Sequence, residues 1–262
     1  MNNLPPSTPA GKTRFRSEVA DFWRYIRHPR PLSRVSGRAA GRVGNGFLAD
    51  WWPGIRPGRL LAWAGLLWAL NLFALGPVAV MAAGLGGATH RIDPANLPWL
   101  TAVIWAPLVE EMLFRYGLRR PLQALWLVPA LMPVVLYGPQ LWTGLLLAAF
   151  MLLACWGVRP REAMLTGWDT TWRRYYLKHF GLVFHLVALT FAAVHLTNFV
   201  YSKTPYWLMP LLVLPQWLTG LVLGWMRVRR GIGAAILLHA TFNAGPILMI
   251  WAVMRWAPSI AK

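Results

Sequence analysis

Three short sets of residues in this 262-residue chain could do chemistry. The first is Glu110-Glu111-Met112-Leu113-Phe114-Arg115, two carboxylates followed by a guanidinium. Glu111 and Arg115 are four apart with the acid N-terminal, the spacing of an intrahelical ion pair. Glu110 points about 100° away on a helix and has no local counter-charge. That suits a general base that takes a proton from water. Helix phase alone leaves Glu111 open to the same work. The second set is Phe191-Ala192-Ala193-Val194-His195, followed by Asn198. Its three-residue step from imidazole to carboxamide puts both on one helical face. The third set, His239-Ala240-Thr241-Phe242-Asn243, places another such pair one turn apart. Each histidine alone is equally well read as a hydrogen-bonded core residue. Acid, imidazole and amide on three otherwise apolar segments argue for more, because each costs desolvation that only their meeting offsets.

The elements that must position them are membrane spans. The chain is 57% hydrophobic and 13% charged, about half the usual charge density of roughly 25%. Its 26 Lys+Arg and 8 Asp+Glu give a net charge of +18. A single cysteine, Cys155, excludes a disulfide scaffold, and the composition excludes a disordered chain and most soluble enzymes of this length. The positive charge sits between apolar runs, which points to a lipid surface and away from nucleic acid. A bilayer core of about 30 Å takes roughly 20 apolar residues of helix. Seven segments qualify: about 60–84, 97–116, 122–137, 140–158, 180–201, 207–226 and 234–256. The third and fourth are separated only by Tyr137-Gly138-Pro139, so they form either a tight hairpin or a re-entrant pair. The predicted fold class is all-α, a polytopic membrane helix bundle of about seven transmembrane helices. With the N-terminus inside, 21 Lys and Arg fall on inner segments and 4 on outer ones. That split sets the orientation as N-in, C-out.

Residues 1–56 read as a basic cytoplasmic segment without the apolar stretch of a signal peptide. Within it, Phe15, Val19, Phe22, Trp23 and Ile26 make one stripe of a helix over 14–27, flanked by Arg14, Arg16 and Arg24. Such a helix either lies on an anionic inner leaflet or belongs to a solvated basic tail. Residues 29–46 read as a flexible tether. The membrane-embedded domain spans 57–262. Gly220 and Gly224 form a small-xxx-small pair suited to a close helix contact. His179 and His185 read as interfacial, His90 as part of an outer loop, and Cys155 as a small buried residue. Arg outnumbers Lys 22 to 4, as in GC-rich bacterial genomes, so the expected location is a bacterial inner membrane, multi-pass.

Ionised groups near a bilayer centre cost about 2.5–3.5 kcal/mol each, so Glu110, Glu111 and Arg115 together cost on the order of 8–10 kcal/mol. Counting about 1.5 Å of rise per residue puts Glu110 and His239 roughly 9–12 Å from the inner face and His195 about 22 Å from it.

With its E-E-x-x-x-R, F-x-x-x-H and H-x-x-x-N patterns in order over residues 97–256, the sequence resembles the CPBP family of intramembrane proteases. This family comprises CAAX proteases and bacteriocin-processing enzymes and is also called the abortive-infection family. One departure concerns spacing. The family usually carries its second motif on the helix directly after the first, whereas Glu111 and His195 here are 84 residues apart. Residues 122–178 are the expected insertion. The resemblance implies hydrolysis of a peptide bond in a membrane-associated protein or peptide. In that reading Glu110, Glu111, His195, His239 and Asn243 are catalytic candidates. Glu110 activates water, His195 positions it, and His239 with Asn243 faces the oxyanion. Arg115, Phe191 and Asn198 support them. Glu110, His195 and His239 also match the donor set of a catalytic zinc, and the same residues serve equally without metal. Two other readings stay open: a non-catalytic scaffold or bacteriocin-immunity protein on this fold, and a transporter whose buried acids carry protons.

Overall fold

The structure, a computed structural model, describes residues 14–31, 50–52, 55–94, 96–156 and 167–256, without the side chains of 155–156 and 167–170. The tether beyond residue 31, residues 157–166 of the expected insertion and the Cys155 side chain lie outside the described residues. Each of the seven predicted spans is mainly helical over its described residues, although 199–201 of the fifth form a strand and 157–158 of the fourth lie outside the described residues. Helix α1 is Phe15–Arg27. Helix α2, Pro57–Gly86, is 30 residues long and ends where Gly87 turns left-handed at φ 65°. Helix α3 runs over residues 99–118. Helices α4, Pro121–Tyr137, and α5, Leu141–Trp156, form a hairpin about Gly138, whose φ is 66°. Helix α6 is Gly167–Val194 and α7 is Leu214–Arg230. Helix α8, Ile232–Trp256, follows α7 after one residue, Gly231, at φ 105°.

By length and composition, α2, residues 171–198 and α8 can each cross a membrane. Short helix Tyr206–Leu212 and α7, joined at a 48° bend, make a fourth candidate. Helix α3 falls short for a chemical reason: every 18-residue window of it contains Glu110, Glu111 and Arg115. Helices α4 and α5 are apolar but shorter. Opposite the α7–α8 turn, strands β1 (Ala88–His90) and β2 (Phe199–Tyr201) pair antiparallel, with Thr89 facing Val200. This ribbon ties the end of α2 to the chain leaving α6. Ser202 and Thr204 extend the clasp, their hydroxyls donating to the Gly87 and Gly86 carbonyls at 2.9 and 2.6 Å.

The main core gathers α1, α2, α6, α7 and α8 around Trp63 and Trp225, whose rings lie 4.9 Å apart. Gly224 lets α7 close on α6, since a Cβ there would sit 2.8 Å from the Phe184 ring. A second core packs the α4–α5 hairpin through Leu127, Leu131, Val134 and Leu147 onto Val109, Met112 and Tyr116 of α3. The stripe of α1 faces this bundle and not an anionic lipid surface. Phe22 and Tyr25 are buried against Trp63, Trp225 and Phe184, whereas Trp23 of the expected stripe is exposed. The reason is electrostatic as much as apolar. Arg229 pairs with Asp21 at 3.1 Å, Arg230 pairs with Glu18, and the Trp63 and Trp225 indoles donate to Glu18 and Asp21. Cations at the end of α7, counted from sequence only toward orientation, thus make protein contacts.

Arg227 is the deepest of them. It is fully buried, pairs with Asp50, and donates to the carbonyls of Arg115 and Tyr116 at the end of α3. Replacing it removes a buried ion pair and both of these donated hydrogen bonds. Arg227→Leu is expected to cost about 3–5 kcal/mol, against no measurable change for exposed Arg174→Leu. Thermal unfolding in detergent checks the pair.

Candidate active site

The site begins with irregularities in α3. Residues 101–105 and 111–115 are π turns, in which the register widens to five residues. The first has a visible cause. Pro107 has no N–H and its ring crowds the carbonyl four residues back. The Ala106 N–H reaches Thr101 instead, and in that register the donor for Ala102 would be residue 107, which has none. The orphaned Ala102 carbonyl accepts from Asn243 Nδ2 on α8 at 2.8 Å. One amide hydrogen of Asn243 is therefore occupied and the other is open.

The centre is Glu111, fully buried. Its Oε1 accepts from Arg115 Nη1 at 2.9 Å and from His239 Nδ1 at 3.0 Å. The first contact is the pair read from spacing. The second, between α3 and α8, has no sequence signal, because 128 residues separate the partners. It also fixes the ring. With Nδ1 donating to Glu111, Nε2 faces Glu110 Oε2 at 3.8 Å. Glu110 is about a quarter exposed and its Oε2 has no hydrogen-bond partner among the described residues. The two adjacent carboxylates are thereby placed differently: Glu111 is held by two donors, and Glu110 Oε2 has no hydrogen-bond partner among the described residues.

Phe191 joins the second motif to the first. Its buried ring carries the Arg115 guanidinium 3.6 Å from the centroid and touches the His195 ring at 4.6 Å and the His239 ring at 5.9 Å. A desolvated cation–π contact of this kind is worth about 2 kcal/mol. Gly220 of α7 allows the stack, since a Cβ there would meet Phe191 at 3.1 Å and Arg115 Nη2 at 3.5 Å. The sequence suggested that glycine for helix packing alone. The depth difference expected between the two imidazoles does not keep them apart. Helix α6 starts at Gly167, so rise counted from residue 180 does not measure where His195 sits. His195 Nδ1 meets the Phe191 carbonyl at 2.8 Å, which leaves Nε2 as the ring's other nitrogen for a contact in the site. Asn198 stands apart. It closes the 3-10 turn after α6, and its carbonyl accepts from the Arg91 N–H at 2.8 Å, at the rim beside β1.

A metal would need Glu110, His195 and His239 to converge. Among the described residues no three His, Cys, Asp or Glu side chains form a group that could hold a metal ion. As arranged the donors do not fit a zinc site, and no step below runs through one.

An apolar helical chain with this constellation at its centre fits a membrane peptidase. The family model described as "Type II CAAX prenyl endopeptidase Rce1-like" matches residues 93–245, which include all three motifs, and the chain belongs to that family. No curated protein and no solved structure matches it.

The two glutamates should separate by experiment. Glu111→Ala leaves Arg115 buried without its counter-ion and is expected to destabilise by about 3–5 kcal/mol. Glu110→Ala, which breaks no hydrogen bond, is expected to stay within about 0.5 kcal/mol of wild type. Denaturation of the purified variants in detergent reads both.

Proposed function

We propose that this chain is an intramembrane endopeptidase that hydrolyses a peptide bond of a membrane-associated protein or peptide. It would work as a multi-pass protein of the bacterial inner membrane, N-in and C-out. The observation that carries the reading is the free Glu110 carboxylate facing His239 Nε2, with Glu111 and Arg115 locked behind it. A water held between Glu110 and His195 Nε2 loses a proton to Glu110 as it attacks the scissile carbonyl carbon. The tetrahedral oxyanion then forms opposite the open N–H of Asn243, and the His239 ring adds a second donor at Nε2 when both of its nitrogens carry protons. Donors held in place before the reaction are worth most there, because they need no reorganisation. Collapse breaks the C–N bond, and Glu110 returns its proton to the leaving amine. Glu111 acts through His239: by accepting from Nδ1 it fixes which edge of that ring meets the substrate.

The test compares membrane peptidomes of cells carrying wild type and Glu110→Ala, alongside turnover of a farnesylated fluorogenic C-a-a-X peptide in proteoliposomes. Loss of the general base is expected to slow hydrolysis about 10²- to 10⁴-fold, and at least one processed peptide should vanish from the peptidome. An unchanged peptidome with normal insertion would favour a scaffold or immunity role. Accumulation of a solute without cleavage would favour transport. Hydrolysis is further expected to persist after exhaustive chelation; activity lost with a bound metal and restored by returning it would replace the metal-free scheme.

Orientation has its own check. In a Cys155→Ser background, a cysteine at Lys203 should react with an impermeant maleimide in intact spheroplasts, and one at Arg174 only after lysis. The reverse pattern would overturn N-in.

A further inference from the structure

We infer that Trp68, on α2 and outside the matched family region, is a positioning residue for Asn243; this rests on the reading of Asn243 given above. The starting point is Pro246 inside α8. A proline offers no N–H to the carbonyl four residues earlier, here Phe242, so the residue immediately before Asn243 has an orphan acceptor in the middle of a helix. The Trp68 indole supplies the missing donor, with Nε1 2.9 Å from the Phe242 oxygen. Gly245 makes room for it: a Cβ there would fall 2.4–2.7 Å from Cε2, Cζ2 and Nε1 of that indole. Pro246, Gly245 and Trp68 are thus one device, in which one residue removes the helical bond, one opens the gap and one fills it from a neighbouring helix.

The device sits one residue from the amide it serves. Asn243 is held from its other side by the Ala102 carbonyl, itself orphaned by Pro107. Two prolines on two helices each release a carbonyl, and each carbonyl is satisfied by a side chain from another helix. Together they fix Asn243 in height through its own side chain and in rotation through the backbone just before it. A phenyl ring at Trp68 removes the N–H together with part of the packing, and comparison with the Pro246→Ala background separates the two.

The experiment uses the full chain in proteoliposomes with the farnesylated C-a-a-X peptide. Trp68→Phe is expected to lower kcat about tenfold with KM within twofold. Gly245→Ala, which displaces the indole, should do the same. Pro246→Ala restores a helical N–H to Phe242, so Trp68→Phe placed in that background should cost less than twofold. Equal kcat for Trp68→Phe and wild type, or the same tenfold loss with and without Pro246, overturns the inference. Asn243→Ala is run beside them: if it retains wild-type activity while Trp68→Phe does not, the role given to Asn243 fails. Thermal midpoints of the four proteins give the same cycle without substrate. Trp68→Phe should lower the midpoint by about 3 °C in the Pro246 protein and by less than about 1 °C in the alanine background, and equal shifts count against the device.

Discussion

One carboxylate oxygen holds the functional end of this molecule together. Glu111 Oε1 accepts from Arg115 and from His239 in a site with no exposure to solvent. A lone carboxylate there would be expelled or neutralised, and a lone guanidinium likewise; each is tolerable only with the other in place. Because Arg115 also lies on the Phe191 ring, and Phe191 touches both imidazoles, the ion pair transmits its position to α6 and α8. Remove it and three helices lose their common reference. Glu110 Oε2, one residue away, has no hydrogen-bond partner among the described residues and lies 3.8 Å from His239 Nε2.

Prolines do a second part of the positioning. In a water-soluble helix an unmet carbonyl turns to solvent, whereas in lipid it must find a donor within the protein. At Ala102 and Phe242 the donors are a catalytic-candidate amide and an indole from other helices. Breaks in regular hydrogen bonding become points of attachment. Interhelical hydrogen bonds tie the helices at the level of the site, while apolar packing and ion pairs dominate around Trp63, Trp225 and the arginines that end α7.

Much of this was legible in the sequence because it depended on local spacing. The Glu111–Arg115 pair and the three ordered motifs follow from periods of three and four residues, and the mainly helical character of the apolar segments follows from their composition. What was not legible is long-range. Nothing in the spacing of Glu111 announces His239, and Gly220 reads as a packing glycine until the ring it admits is seen. Helix α1 misled for a physical reason: an apolar stripe bordered by arginines serves a lipid surface and a protein groove equally well. The deciding residues were Glu18 and Asp21, whose arginine partners on α7 lie over 200 positions downstream. The α4–α5 hairpin packs on α3 through Leu127, Leu131 and Leu147.

That distance has a bearing on biogenesis. Helix α1 is made before α2, whose Trp63 packs on Phe22 and donates to Glu18, yet Trp225 and the α7 arginines that hold Glu18 and Asp21 are made long after both. Until then α1 has only part of its groove, and the contact that closes it spans 212 residues of chain. Long-range contacts form late because loop closure must be met before they gain anything. Docking of α1 is therefore completed only when α7 is in place.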